Sequence, residues 1–147
     1  MVGQFVENFR LKDQHGNIFN LYENLDKKVL LIFYPKDSTT VCSGQLRDYQ
    51  LNESKFQSKG IRLVGINIAD KESHKVFCDE INIGFRLLSD ENKTVSRRFG
   101  ALNLFGLNKR KLVLIDTNKK IVQEEDFSYF SYPTADDIIS KLELLKI

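Results

Sequence analysis

The stretch Val29-Leu-Leu-Ile-Phe-Tyr34 constrains the fold more than any other part of the chain. It is continuously apolar and β-favouring, with no polar residue in alternation, so a strand built from it must be covered on both faces. Pro35 ends it, because proline has no N–H to continue a ladder. A strand of this kind sits in the middle of a sheet, and the flanking sequence supplies helices to cover it. Helical spacing runs from about Thr40 to Lys59, carrying Leu46, Tyr49 and Phe56, and Gly60 stops it. A second helix is predicted from Lys71 to about Ile81, with Asp70 as its cap and Val76, Phe77 and Ile81 as its apolar positions. Between these lies another buried strand, Ile61 to Ile68. Phe85 to Leu88 reads as a short strand, Ser89 to Asn92 as a loop and Val95 to Phe99 as a helical segment. Leu112 to Ile115 pairs across the turn Asp116 to Lys119 with Ile121 to Asp126, and Thr134 to Ile147 closes the chain as an amphipathic helix through Ile138, Ile139, Leu142 and Leu145. Near the start, Phe9 and Leu11, the turn residues Asp13 to Asn17, and Ile18, Phe19 and Leu21 outline a β-hairpin. Strands alternating with helices in this order predict an α/β fold: a central mixed sheet flanked by helices, with an N-terminal hairpin. With 147 residues and no repeat or linker, one domain spanning 1–147 is expected.

Charge and cysteine content narrow the function. Lys and Arg number 22 against 20 Asp and Glu, and the resulting +2 is spread along the chain, which argues against a nucleic-acid or membrane-surface binder. No apolar stretch approaches the 18 residues a span requires, and the N-terminus shows no cationic segment followed by an apolar run. A cytoplasmic protein with small-molecule or protein partners is therefore expected. Two cysteines do not make a secreted disulfide framework; in a reducing compartment they point to redox or metal chemistry, or to two ordinary buried thiols. His74 and Cys78 stand four apart on one helix face, but no third convergent ligand is apparent, so no metal is expected.

Cys42 is placed for reactivity. It falls in the first turn of a helix immediately after the buried strand, where unpaired backbone N–H groups and the helix dipole favour the nucleophilic thiolate. Thr39, three residues earlier, can put a hydroxyl at the mouth of the same turn, and Pro35 can shield the sulfur from water. The three together form Pro-x-x-x-Thr-x-x-Cys, a spacing with a chance of about one in a hundred in a chain of average composition.

That motif is the active-site motif of the peroxiredoxins, and the chain resembles their peroxiredoxin Q subgroup, also called bacterioferritin comigratory protein, over nearly its whole length. Leu11 to Ile18, Val29 to Lys36, Gly60 to Ile66, Leu87 to Glu91 with Phe99-Gly100, and Arg110 to Asp116 resemble family segments in the same order. The resemblance implies a thioredoxin-like fold and a thiol-dependent peroxidase acting on hydrogen peroxide and small alkyl hydroperoxides. It makes Cys42 the peroxidatic cysteine, Thr39 its oxygen-orienting partner, Pro35 the shield and Arg110 the active-site arginine; without it, Arg110 reads as a solvated member of Lys109-Arg-Lys111. Gln45 resembles a position held by Glu or Gln that fixes the active-site helix.

Sulfur is then the redox centre, so no haem, flavin or metal cofactor is implied. A thioredoxin-like reductant is implied, with the protein a monomer or weak homodimer. Many relatives carry a resolving cysteine five residues after the first, where this chain has Arg47; some place it on the following helix, which Cys78 fits. Cys78 as a structural thiol in a one-cysteine enzyme is the alternative. Thr40 replaces a common Pro, Leu112 a small hydroxyl residue, and Ala101 to Asn108 is shorter than in many relatives. Other classes are a thiol–disulfide oxidoreductase, which lacks its Cys-x-x-Cys here, and a non-enzymatic binding module. Aromatic residues Phe127, Tyr129, Phe130 and Tyr132 are expected to pack in the core or rim.

Overall fold

The computed structural model describes residues 1–147. In chain order its elements are β1 (Arg10–Lys12), β2 (Ile18–Asn20), a 3-10 turn (Tyr22–Asn24), β3 (Lys28–Phe33), α1 (Thr40–Leu51), α2 (Glu53–Gln57), β4 (Ile61–Asn67), α3 (Lys71–Ile81), β5 (Arg86–Ser89), α4 (Thr94–Arg98), β6 (Arg110–Ile115), β7 (Ile121–Phe127) and α5 (Ala135–Leu144). The seven strands form one sheet in the order β2-β1-β5-β4-β3-β6-β7. β3 runs parallel to β4 and antiparallel to β6, and β4 is parallel to β5.

The uninterrupted apolar run is explained by this central placement. Leu30, Ile32 and Tyr34 point to a core shared with Leu46, Phe56, Phe77, Ile138 and Leu142, so α1, α2, α3 and α5 cover that face. Val29, Leu31 and Phe33 point the other way, into a second core with Val95, Phe99 and the N-terminal residues Val6 and Phe9. Successive strand residues alternate between faces, and here both faces are apolar. The hairpin β1–β2 pairs antiparallel with Leu11 opposite Phe19 and joins the sheet through Lys12 and Ser89.

Several local expectations are corrected. The helix predicted over Thr40 to Lys59 is two helices that meet at Asn52 (φ −106°, ψ 15°), whose side-chain amide donates to the Asp48 carbonyl at 2.8 Å and so caps α1 in place of a continued ladder. In α3, Val76 is 56% exposed; the buried face is His74, Phe77, Cys78 and Ile81, a helical stripe that includes a histidine. The closing helix stops at Leu144, and Leu145 is half exposed. Phe99 follows α4 instead of ending it. The Asp70 cap forms as predicted, its carboxylate accepting from Ser73 N at 2.8 Å, and Asn82 ends α3 at φ +55°.

Candidate active site

The site grows from the exit of β3. Tyr34 still donates its N–H to Ile66 O at 3.4 Å, and Pro35 then turns the chain out of the sheet. Thr39 is the extended N-cap residue of α1 (φ −98°, ψ 154°), and its carbonyl accepts from Ser43 N at 2.8 Å. Its hydroxyl proton goes to Lys36 O at 3.0 Å, closing the loop, so toward a ligand this oxygen is free to act as an acceptor. Cys42, third residue of α1, is buried at 1% exposure.

Arg110, the first residue of β6, is 1% exposed and converges on that sulfur. Its Nη2 donates to Cys42 Sγ at 3.4 Å and to Tyr129 O at 3.1 Å; Nε donates to Ser128 O at 3.1 Å, and Nη1 to Gln45 Oε1. These partners are a thiol, an amide oxygen and two carbonyls. Since none is a carboxylate, the buried positive charge is left to stabilise an anion at Sγ. Gln45 is fully buried and passes the constraint outward: Gln45 Nε2 donates to Tyr49 Oη at 3.2 Å, which donates to Pro133 O at 2.7 Å. Burial raises the Tyr49 phenol above its usual range, so it remains a donor. The solvated alternative for Arg110 is thereby overturned. The aromatic cluster is divided: Tyr132 packs beside Gly44 and edge-on to Tyr49, whereas Tyr129 and Phe130 are 55% and 81% exposed.

Cys78 is elsewhere on the same face. It is 6% exposed on α3, which packs against β5, while Cys42 meets β6. The two thiols therefore sit on separate helices over one face of the sheet, in the same core. A disulfide needs Cα atoms within about 7 Å, and both thiols are free. Burial, then the charges of Asp37 and Asp79, pushes the Cys78 thiol up from 9.0 to about 12.

The sequence pattern gives no hint of a buried polar group between these two cysteines, formed by Tyr34, Asp37, Asn67, Ser73 and His74. Tyr34 Oη donates to Asp37 Oδ1 at 2.5 Å, and His74 Nδ1 lies 2.8 Å from Asp37 Oδ2. Nε2 of the same ring donates to Leu88 O at 2.9 Å, so both ring nitrogens are engaged. Its only sequence signal is a histidine on the apolar stripe of α3. Beside it, a cavity of about 360 Å³ is lined by Pro35, Asp37, Asn67, Leu107, Asn108 and Tyr129. A separate cavity of about 410 Å³, between the N-terminal segment, Arg98 to Gly100 and the β6–β7 residues Lys111, Ile121 and Glu124, contains none of the site residues. No group of three or more His, Cys, Asp or Glu side chains is arranged to hold a metal ion, and no helix is long and apolar enough to cross a membrane.

A thioredoxin-like sheet that presents a buried thiol at a helix start to a buried arginine defines a class, the thiol oxidoreductases of this fold. The chain belongs to the AhpC/TSA family, whose model matches residues 2–124, and within it to the peroxiredoxins of the Q or bcp type. A Helicobacter pylori protein named as a peroxiredoxin, bcp, is 36% identical over 108 residues, 71% of each chain. A Populus jackii protein named peroxiredoxin Q, chloroplastic, is 34% identical over 122 residues, covering 82% of this chain and 57% of its own. Among solved structures, PrxQ from Xylella fastidiosa superposes with a TM-score of 0.91 at 20% identity, covering 100% of this chain and 98% of that one, which establishes the shared fold. Family membership makes the protein a thiol peroxidase and removes the non-enzymatic alternative.

Proposed function

We propose that Cys42 is the peroxidatic cysteine and that hydrogen peroxide and small alkyl hydroperoxides are its substrates. The observation that carries this is the buried Arg110 guanidinium on Cys42 Sγ with no carboxylate to neutralise it. The thiolate attacks the nearer peroxide oxygen in line, the O–O bond breaks, and Cys42–S⁻ plus ROOH gives Cys42–SOH plus RO⁻, which takes up a proton. Arg110 opposes the charge developing on the oxygens. Thr39, its own proton committed to Lys36 O, accepts from the peroxide hydroxyl and orients it, and Pro35 is assigned the shielding role that the family motif gives it.

Cys78 then resolves the sulfenic acid, giving Cys42–S–S–Cys78 and water, and a thioredoxin-like dithiol protein returns both thiols. In the closed form Cys78 is a buried neutral thiol, a poor nucleophile, so this step follows local opening. The same burial favours a second reading, a one-cysteine enzyme in which Cys78 is structural. Treatment with one equivalent of hydrogen peroxide followed by peptide mass spectrometry separates them. A Cys42–Cys78 bond is expected; a sulfinic acid at Cys42 beside free Cys78 favours the one-cysteine cycle. Cys42→Ser is expected to abolish peroxide consumption with the fold intact, and retention of activity would remove the assignment altogether.

A further inference from the structure

The two elements that carry the thiols are fastened together through one buried carboxylate. Asp37 stands in the loop between Pro35 and the start of α1 and is 6% exposed. Oδ1 accepts from Tyr34 Oη at 2.5 Å and Asn67 Nδ2 at 3.1 Å. Oδ2 accepts from Ser73 Oγ at 2.6 Å and lies 2.8 Å from His74 Nδ1. Ser73 and His74 belong to the start of α3, one turn ahead of Cys78. A second tie crosses the same gap at the surface, from Ser38 Oγ to Glu80 Oε2 at 3.0 Å. A loop that only turned the chain could satisfy its carboxylate within itself or in water; this one sends half of its hydrogen bonds to the helix bearing the other cysteine.

The two thiols are free and lie on different helices. Cys42 and Cys78 are unbonded as they stand, so joining them requires the start of α1, the helix α3, or both to shift, and a shift of α3 or of the loop that leads into α1 parts Asp37 from Ser73 and His74. We propose that the contacts of Asp37 with Ser73 and His74 form a latch that sets the rate of resolution, making Ser73 and His74 positioning residues for the second half of the catalytic cycle. The proposal rests on Cys78 being the resolving cysteine. While the latch holds, Cys42 stays against Arg110 and reacts with peroxide. After oxidation, two routes compete for the sulfenic acid: Cys42–SOH plus Cys78–SH gives the disulfide and water, and Cys42–SOH plus a second ROOH gives Cys42–SO₂H and ROH. A tighter latch sends more enzyme down the second route.

Ser73→Ala tests this in the full-length protein, since it deletes one latch bond at a half-buried position of α3, keeps a good helix former and leaves Cys42 and Arg110 untouched. Sulfenic acid formation, disulfide formation and sulfinic acid yield are followed after rapid mixing with hydrogen peroxide, by acid quench and mass spectrometry. Disulfide formation is expected to accelerate by about three- to tenfold, the effect of losing one such bond, and further when Ser38→Ala is added. Sulfinic acid yield falls in proportion, and the first oxidation keeps its rate. Ser73→Thr, which restores a hydroxyl, returns the partition toward that of the parent. A residue serving stability alone would lower Tm and leave the partition unmoved, and that result overturns the latch. If the parent protein forms no Cys42–Cys78 bond at any peroxide dose, the two-cysteine reading fails and the latch with it; if it forms the bond at a rate Ser73→Ala does not change, the latch alone fails.

Discussion

A single buried arginine reaches the Cys42 thiol. Arg110 offers its fork to Cys42, Gln45, Ser128 and Tyr129 at once, a pattern only a planar guanidinium can satisfy. Arg110→Lys keeps the charge and loses the fork. Its rate constant for peroxide is expected to fall about 100- to 1,000-fold, on the scale of removing a preorganised charge donor, while far-UV CD is unchanged. A stopped-flow rate within threefold of the parent would show that charge alone suffices. Cys42, Thr39 and Pro35 stand out in the sequence as candidates because their spacing is local. The inward placement of Arg110 was suggested only by family resemblance, since nothing in Lys109-Arg-Lys111 distinguishes the side chain that turns inward. Asp37 and His74 were not readable as partners, being 37 residues apart and brought together by packing.

Elements matter here for where they end and how closely they meet. β3 stops at a proline and α1 starts five residues later, so sulfur is delivered to the carboxyl end of the central strands. β4 must let β5 approach: a Cβ at Gly65 would stand 2.5 Å from Leu87 Cδ2 and 3.4 Å from Tyr34 Cε1. Gly65→Ala is accordingly expected to cost about 1–3 kcal/mol in urea unfolding, as overpacking does; an unchanged midpoint would mean that Leu87 repacks freely. Asp70→Ala removes the α3 cap and is expected to cost about 1 kcal/mol, read by the same measurement. Element types followed from periodicity, whereas the break at Asn52 and the exposed Val76 depended on side-chain competition and on which way α3 faces the sheet.

At the scale of the whole molecule, buried ionisable groups set the pH range in which the fold is stable. Burial alone would raise the Asp37 carboxyl, but the hydrogen bond and charge of His74, with Ser73 and Tyr34, outweigh it and hold the group below 3.8. The unfolded chain therefore takes up this proton first, and the stability Asp37 contributes is present above about pH 4 and lost as pH falls further. Cys78 has the opposite sign: raised from 9.0 to about 12, it contributes stability in full below pH 9 and loses it as pH rises toward 12. Tyr34 and Tyr49, both raised above 10.0 by burial, steepen the loss beyond pH 10. Urea midpoints measured against pH should show both limbs, and Cys78→Ala should flatten the alkaline limb between pH 9 and 10; an unaltered limb would place the titration elsewhere.

The chain by itself determined its strands and helices, the double-sided burial of Val29 to Tyr34 and the place of Cys42 in the first turn of a helix behind a buried strand, because all of these are written in the spacing of neighbouring residues. Tertiary structure alone decided that Arg110 points inward, that Asp37 binds the start of α3, and that the two thiols sit on different helices over one sheet face. Those facts depend on which distant side chains share a dry space, and linear spacing holds no record of that.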